Sequence, residues 1–424
     1  MDLFLQVIKI TIFLPMKFSF FLSQNDTEAG HQVCLSFFSK NTKKKLYKFP
    51  LPFAISAEDW DIDKQRPFDI YCKKYKKLNY ILNAVKIGIS GLLGNRANAS
   101  AKVISEVIMK ICSEQGAIYP QGSLLEMMGH YLQARQYSIS LSTYRRYQVF
   151  MRLIEKFEGF LSKHIFIQEI NNSLFSEFYT FGKEEKYSES TLNRTAEFIK
   201  TILNFAELQG ITTNIRRLKI PKAKVTRKIM ILEDEEIKKI KQIKAPESLN
   251  HAKDWLVISC YAGQRISDFM RFNIRQVVDI NGKKCISFFQ QKTGKAIILP
   301  LHPIVLNIIK KYGNSFPPPI ESSLYNKQIK EVAFLAGINQ EVSVRKRIGF
   351  RVQEVLVEKW QNVSSHIGRR SFASNFYGKI PTPLLIQATG HGSEQVFLNY
   401  IDNLSHTRII KLNDYFEKIY AEAI

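Results

Sequence analysis

The chain has 424 residues, more than one ordinary domain holds, so two or three domains are expected. Its 61 Lys and Arg stand against 38 Asp and Glu, and the resulting formal charge of +23 exceeds what solubility requires and points to a polyanionic partner. Five cysteines without CxxC spacing indicate neither a disulfide framework nor a zinc site and fit a reducing cytoplasm.

Residues 1–16 form a leader of uncertain status. The apolar opening is interrupted by Asp2, Lys9 and Lys17 and no small-residue cleavage site follows, which makes a poor signal peptide, and Met16 is an alternative start. No other stretch approaches 18 uninterrupted apolar residues, so a membrane span is rejected. Residues 17–115 follow as a small unit. The runs FSFFL, QVCLSFF and KLYKFPL, separated by turn-rich or charged connections, predict an antiparallel meander, and LNYILNAVKIGISGLL (78–93) predicts a helix behind it. Lys40, Lys43, Lys44, Lys45, Lys73, Lys74, Lys76 and Lys77 surround this unit and suit a small DNA reader, a merely solvated lysine face being the plain alternative.

Residues 122–210 read as all-helical. Leu192, Ala196, Ile199, Leu203 and Ala206 fall on one stripe of a helix that Gly210 closes. An earlier helix over 142–157 places Arg145 and Arg146, candidate DNA contacts, beside an apolar face of Tyr147, Phe150, Met151 and Ile154. Residues 211–228 hold seven Lys or Arg, no acid and a central Pro221, the composition of an extended basic linker that lies along phosphates; Arg216, Arg217, Lys219 and Lys222 are its candidate contacts. The last domain spans 229–424 and opens on a helix with acids in its first turn, as the helix dipole prefers.

Five short segments stand out in this last domain. In YAGQRISD (261–268), Gly263 ends a helix, Arg265 begins a new turn and Asp268 follows as structural support. In ISFFQQKTGKAIILPL (286–301), two strands flank a turn and put Lys292 at a hairpin tip. SSHIGRRSFASNF (364–376) sets His366 and Arg369 on one side of a helical turn. ATGHGS holds His391 between two glycines, and EQVFLNY ends in Tyr400, nine residues past His391 and near the end of a short helix. Singly, such features are ordinarily core tyrosines, surface pairs and turns, so their joint order carries the reading.

In that order these segments resemble the tyrosine recombinase, or phage integrase, family over about residues 230–415: GQRISD is similar to its GLRISE box, HIGRRSFA to its HTARHTFA box and TGHGS-x6-Y to its LGHSS-to-Tyr segment. Gln264 stands where Leu or Met is usual and Asp268 where Glu is usual. The resemblance implies a multidomain fold, mainly α with small β elements: an N-terminal small β-sheet plus helix, a central helical SAM-like core-binding domain and a C-terminal α+β catalytic domain. The additional N-terminal residues resemble the arm-type DNA-binding domain of integrases from mobile elements.

The residue types suit phosphodiester exchange on their own terms. Arg265 and Arg369 offer forked cations for the nonbridging oxygens, and Lys292 offers a general acid for the leaving 5′-oxygen. Lys295, past the turn, is the less favoured choice. His366 accepts the phenolic proton or holds Arg369, His391 hydrogen-bonds a nonbridging oxygen, and Tyr400 is the nucleophile that forms a 3′-phosphotyrosine. One phosphodiester replaces another, so no ATP is needed; no phosphate-binding loop, paired acids or Cys/His quartet is present, and neither cofactor nor metal is expected. A DNA invertase and a Xer-like resolvase share this chemistry. A type IB topoisomerase and a catalytically dead DNA-binding regulator are the remaining alternatives. Implied partners are double-stranded recombination sites, a homotetramer on DNA because four strands need four tyrosines, a host DNA-bending protein and a directionality factor. A terminal helix with Ile409, Leu412, Phe416, Ile419 and Ala423 on one stripe is expected to dock on a neighbouring subunit or on its own domain.

Overall fold

The computed structural model describes residues 16–27, 30–39, 45–68, 72–95, 100–113, 119–220, 229–348 and 351–401. The leader up to residue 15, Lys40, Lys43, Lys44, Lys222 and the C-terminal helix expected over 406–424 lie outside them. The chain divides into two compact units, Met1–Lys224 with Arg347–Gln353, and Val225–Lys346 with Glu354–Ile424. Among the described residues no helix is long and apolar enough to cross a membrane.

The first unit opens with the expected meander. Strands β1 (Met16–Thr27), β2 (Gly30–Ser39) and β3 (Lys45–Ile55) pair antiparallel, with Phe20 opposite Leu35 and Leu35 opposite Phe49. Their alternation turns Phe20, Val33, Leu35, Phe37 and Leu51 into a core against helix α1 (Lys76–Asn95), which contributes Ile81, Val85 and Ile89. Two short strands, β4 (Trp60–Asp61) and β5 (Arg66–Pro67), pair on the way to α1. A second helix, α2 (Ala101–Ser113), which the sequence reading did not single out, adds Ile104 and Ile108 to the same core.

The helical stretch resolves into α3 (Leu124–Arg135), α4 (Leu141–Leu161), α5 (Asn172–Glu184) and α6 (Glu189–Leu208). Each begins on a side chain that accepts an otherwise unpaired backbone N–H: Ser123, Ser140, Asn171 and Ser188. The expected stripe from Leu192 to Ala206 is buried among Phe157, Phe178 and Phe181. Within this unit Lys64 and Arg66 reach Glu185 on the bundle at 2.7 and 2.6 Å.

The basic linker differs from expectation in its first half. Residues 211–220 are packed, not extended: Leu218 is 6% exposed and Ile211, Ile215 and Ile220 lean on the bundle core. Asn172 fixes the backbone on both sides, donating to Arg217 O at 3.0 Å and accepting from Lys219 N at 2.8 Å. Four apolar residues spaced among the charges give this segment a face to bury, which its basic composition concealed.

The second unit begins with α7 (Asp234–Gln242), which carries acids in its first turn as expected, and α8 (Glu247–Ala262), buried along much of its length around Trp255. After the one-turn α9 (Ile266–Phe269), strands β6 (Val277–Ile280), β7 (Lys283–Phe289) and β8 (Ala296–Pro300) form an antiparallel sheet in that order. Helices α10 (Pro303–Lys311) and α11 (Ser322–Leu335) follow, then a two-stranded sheet of β9 (Glu341–Ile348) and β10 (Arg351–Glu358), whose Arg347–Gln353 portion is counted with the first unit and which the sequence reading did not anticipate. The unit continues through α12 (Ile367–Phe376), α13 (Thr382–Thr389) and α14 (Glu394–Leu398). A separate small core of Phe372, Leu385, Phe397 and Ile401 lies under these last helices.

Candidate active site

The site is assembled where chain segments leave α8, β7, α13 and α14. Helix α8 stops because Gly263 takes φ +66°, and a Cβ there would meet the Phe372 ring at 2.5 Å. The chain then places Arg265 at the N-cap of α9, half-buried, with Asp268 one turn on. Asp268 is 2% exposed and accepts the Gln291 N–H through Oδ1 at 2.8 Å, which fastens the start of the Lys292 turn to α9. That turn is closed by Gly294 N donating to Gln290 O at 2.8 Å and Gln290 N to Lys295 O at 2.9 Å, and it carries Lys292 exposed at the tip between β7 and β8. Lys295 is fixed differently, donating from Nζ to His391 O at 3.1 Å.

Arg369 stands on the first turn of α12, and His366 is its N-cap. The helix lies close to α8 because residue 368 is glycine; a Cβ there would collide with the Ser259 side chain and come within 2.8 Å of its backbone carbon. This approach buries Arg369 completely, at 0% exposure. Its Nη1 donates to Gly263 O at 3.0 Å and Thr389 O at 2.8 Å, and its Nη2 lies 2.8 Å from His391 Nε2. Nε has no partner among the described residues, an unsatisfied charge-assisted donor in the site.

His391 follows Gly390, which ends α13 at φ +71°. Thr389 Oγ1 donates its single proton to Leu385 O, 2.6 Å away, so at 2.7 Å from His391 Nδ1 it acts as acceptor. The network therefore assigns the proton to Nδ1 and leaves the Nε2 lone pair for Arg369. In this arrangement His391 holds Arg369 and has no free N–H for a phosphate oxygen, which differs from the direct contact expected from the sequence.

Tyr400 sits in the turn just past α14 rather than within it, half-buried. Its ring centroid is 4.6 Å from that of His391 and 5.3 Å from that of His366, and the Arg369 guanidinium carbon lies 5.5 Å from the ring centre. Burial, then the neighbouring Arg370, Arg369, Arg265 and Lys292, pushes the His366 imidazolium down to about 4. Burial and the Arg369 and Arg265 charges push His391 down to about 3. Both rings are therefore neutral at neutral pH. Burial and Arg265 lower Arg369 to about 10, which leaves it charged.

Arg265, Lys292, His366, Arg369, His391 and Tyr400 are thus brought together around one region of the second unit. Arg145, Arg146, Arg216, Arg217 and Lys219 are exposed on the first unit. Sequence reasoning missed Gln290 and Thr389, buried side chains that bond to the site residues. The burial alternation of β7, with Phe288 buried and Phe289 exposed, distinguishes Gln290 from Gln291.

Residues 123–220 match the family model of the phage integrase SAM-like domain. The chain matches no protein of curated function. Among solved structures it is similar to the Tn1549 transposon integrase in complex with a circular intermediate DNA, at 14% identity, covering 70% of this chain and 100% of that one, with a TM-score of 0.50. It is also similar to the XerH site-specific recombinase bound to a palindromic difH substrate, at 15% identity, covering 80% and 96%, with a TM-score of 0.50. The chain thus shares the fold of these integrase and recombinase structures, with residues 123–220 matching the phage integrase SAM-like domain.

Proposed function

We propose that the protein is a site-specific DNA recombinase, an integrase that cuts and rejoins double-stranded DNA through a 3′-phosphotyrosine. The observation that carries this reading is the Tyr400 ring lying against His366, His391 and Arg369 at the distances given above, with Arg265 and the Lys292 turn tied to the same network. The Tyr400 oxygen attacks phosphorus and the bond to the 5′-oxygen breaks. His366, held neutral, takes the phenolic proton, and Lys292 gives one to the departing oxygen. Arg265 and Arg369 bear the charge on the nonbridging oxygens, and His391 keeps Arg369 in place. The reverse attack by a 5′-hydroxyl restores a phosphodiester of similar energy, so the exchange needs no ATP.

Each chain offers one such tyrosine, and exchange of four strands calls for four chains on two DNA sites. The two similar structures are integrase and recombinase complexes with DNA, which supports DNA as the partner. The test uses a nicked duplex built on the sequence the protein selects from a random pool. Wild-type protein is expected to form a covalent adduct that migrates as a protein–DNA species in denaturing gels, and Tyr400→Phe to bind the duplex without forming it. An adduct persisting in Tyr400→Phe would remove Tyr400 as the nucleophile.

A further inference from the structure

Gln290 is only 1% exposed beside the cations and histidines of the site, although an uncharged amide contributes nothing obvious to phosphate chemistry. Its four hydrogen-bonding positions are all used. Nε2 donates to Gln264 Oε1 at 3.1 Å and to Thr389 O at 2.9 Å; Oε1 accepts from Arg265 Nη1 at 3.2 Å and from Thr293 Oγ1 at 2.8 Å. A carbonyl can only accept and a guanidinium can only donate, so the amide has one permitted orientation. Gln264 is equally committed, donating to Ala262 O at 2.9 Å and Ala388 O at 2.7 Å while its oxygen receives Gln290. The backbone leaves no slack either, because a Cβ on Gly390 would stand 2.6 Å from Gln290 Nε2.

These bonds join three separate stretches of chain: the Gln264–Arg265 segment after α8, the Lys292–Thr293 turn and the Thr389–His391 segment at the end of α13. The Lys292 turn is the one among them exposed from Gln291 to Lys295, and besides Gln290 the side-chain bonds that tie it down are Asp268 to Gln291 N and Lys295 to His391 O. We infer that Gln290 is a positioning residue that sets the Lys292 turn against Arg265, so that the Lys292 ammonium stands at the leaving oxygen when Arg265 engages the phosphate. Geometry alone makes this consequential, since a displacement of about 1 Å at a reacting group can cost up to ~10²-fold in rate.

The inference rests on the strand-transfer reading, and the experiment separates the two. Single-turnover adduct formation is measured on the selected nicked duplex with the scissile 5′-bridging atom either oxygen or sulfur. Oxygen leaves with a proton from Lys292, whereas sulfur leaves as a thiolate and needs none. Gln290→Leu is expected to slow adduct formation about tenfold or more on the oxygen duplex and to recover most of that loss on the sulfur duplex. Lys292→Ala should show the same recovery, with all rates read at saturating protein so that weaker DNA binding by a variant does not enter them. Thr293→Val, which removes the hydroxyl bond to Gln290 at an otherwise exposed residue, should give the same pattern at smaller size and serves if Gln290→Leu does not fold. Equal losses on both duplexes, or a wild-type rate in Thr293→Val, would overturn the role of Gln290. Absence of any adduct from wild-type protein would instead overturn strand transfer itself.

Discussion

Arg369 and His391 form a single buried unit: Nη2 of the arginine lies 2.8 Å from Nε2 of the histidine, whose other nitrogen is committed to Thr389. The guanidinium is thereby fixed on two carbonyls and an imidazole before any substrate arrives, and the reorganisation needed at the moment of reaction is small.

Removing either arginine should cost cleavage on the order of 10²-fold, by loss of a charge-assisted clamp. The two differ in a second readout. Arg265 is half-buried and Arg369 fully buried, so Arg369→Ala should also lower the melting temperature, and Arg265→Ala should leave it near wild type. Equal melting temperatures in both variants would contradict the interior placement of Arg369.

Arg369→Lys is not a conservative change here. An ammonium has no fork with which to reach Gly263 O, Thr389 O and His391 Nε2 together. Adduct formation in Arg369→Lys should stay within about tenfold of Arg369→Ala, measured on the same duplex.

The histidines predict a stability profile. His366 and His391 are held near about 4 and about 3 in the folded chain, below the ordinary value of 6.5. Between those values the unfolded chain binds more protons, so their contribution is complete above pH of about 6.5 and is lost as pH falls toward 4. Wild-type melting temperature should fall over that window more steeply than that of His391→Asn. Parallel curves would show that His391 is not held neutral.

Gly368→Ala tests the approach of α12 to α8. A methyl group there meets Ser259, including backbone that cannot swing aside, so a loss on the order of 2 kcal/mol is expected in denaturant unfolding, together with loss of adduct formation.

For the first unit, neutralising Arg216, Arg217, Lys219 and Lys222 should flatten the salt dependence of DNA binding, by about 0.9 in logarithmic slope for each phosphate no longer neutralised by the protein. An unchanged slope would remove this segment from the interface.

Much of the chain could be read directly because its signals are local. Apolar runs between turn-rich or charged connections gave the N-terminal meander, the stripe from Leu192 to Ala206 gave a helix and its buried face, and Gly263 marked where a helix stops beside Arg265. The order of the motifs alone singled out six side chains. What escaped has a common cause. Helix α2, the β9–β10 sheet and the packing of residues 211–220 carry mixed charged and apolar residues whose burial depends on surfaces supplied from elsewhere in the chain.

The sequence by itself determined which chemical groups are available and where helices and turns begin, since propensity, capping and periodicity act within a few residues. Tertiary structure alone decided how those groups are used. The proton of His391 lies on Nδ1 because Leu385 O takes the hydroxyl of Thr389, and Gln290 joins Arg265 to Thr293 because strand β7 delivers its side chain inward. Hydrogen bonds between residues as far apart as 290 and 389 leave no periodic trace in the chain, and only the packed backbone fixes which donor meets which acceptor.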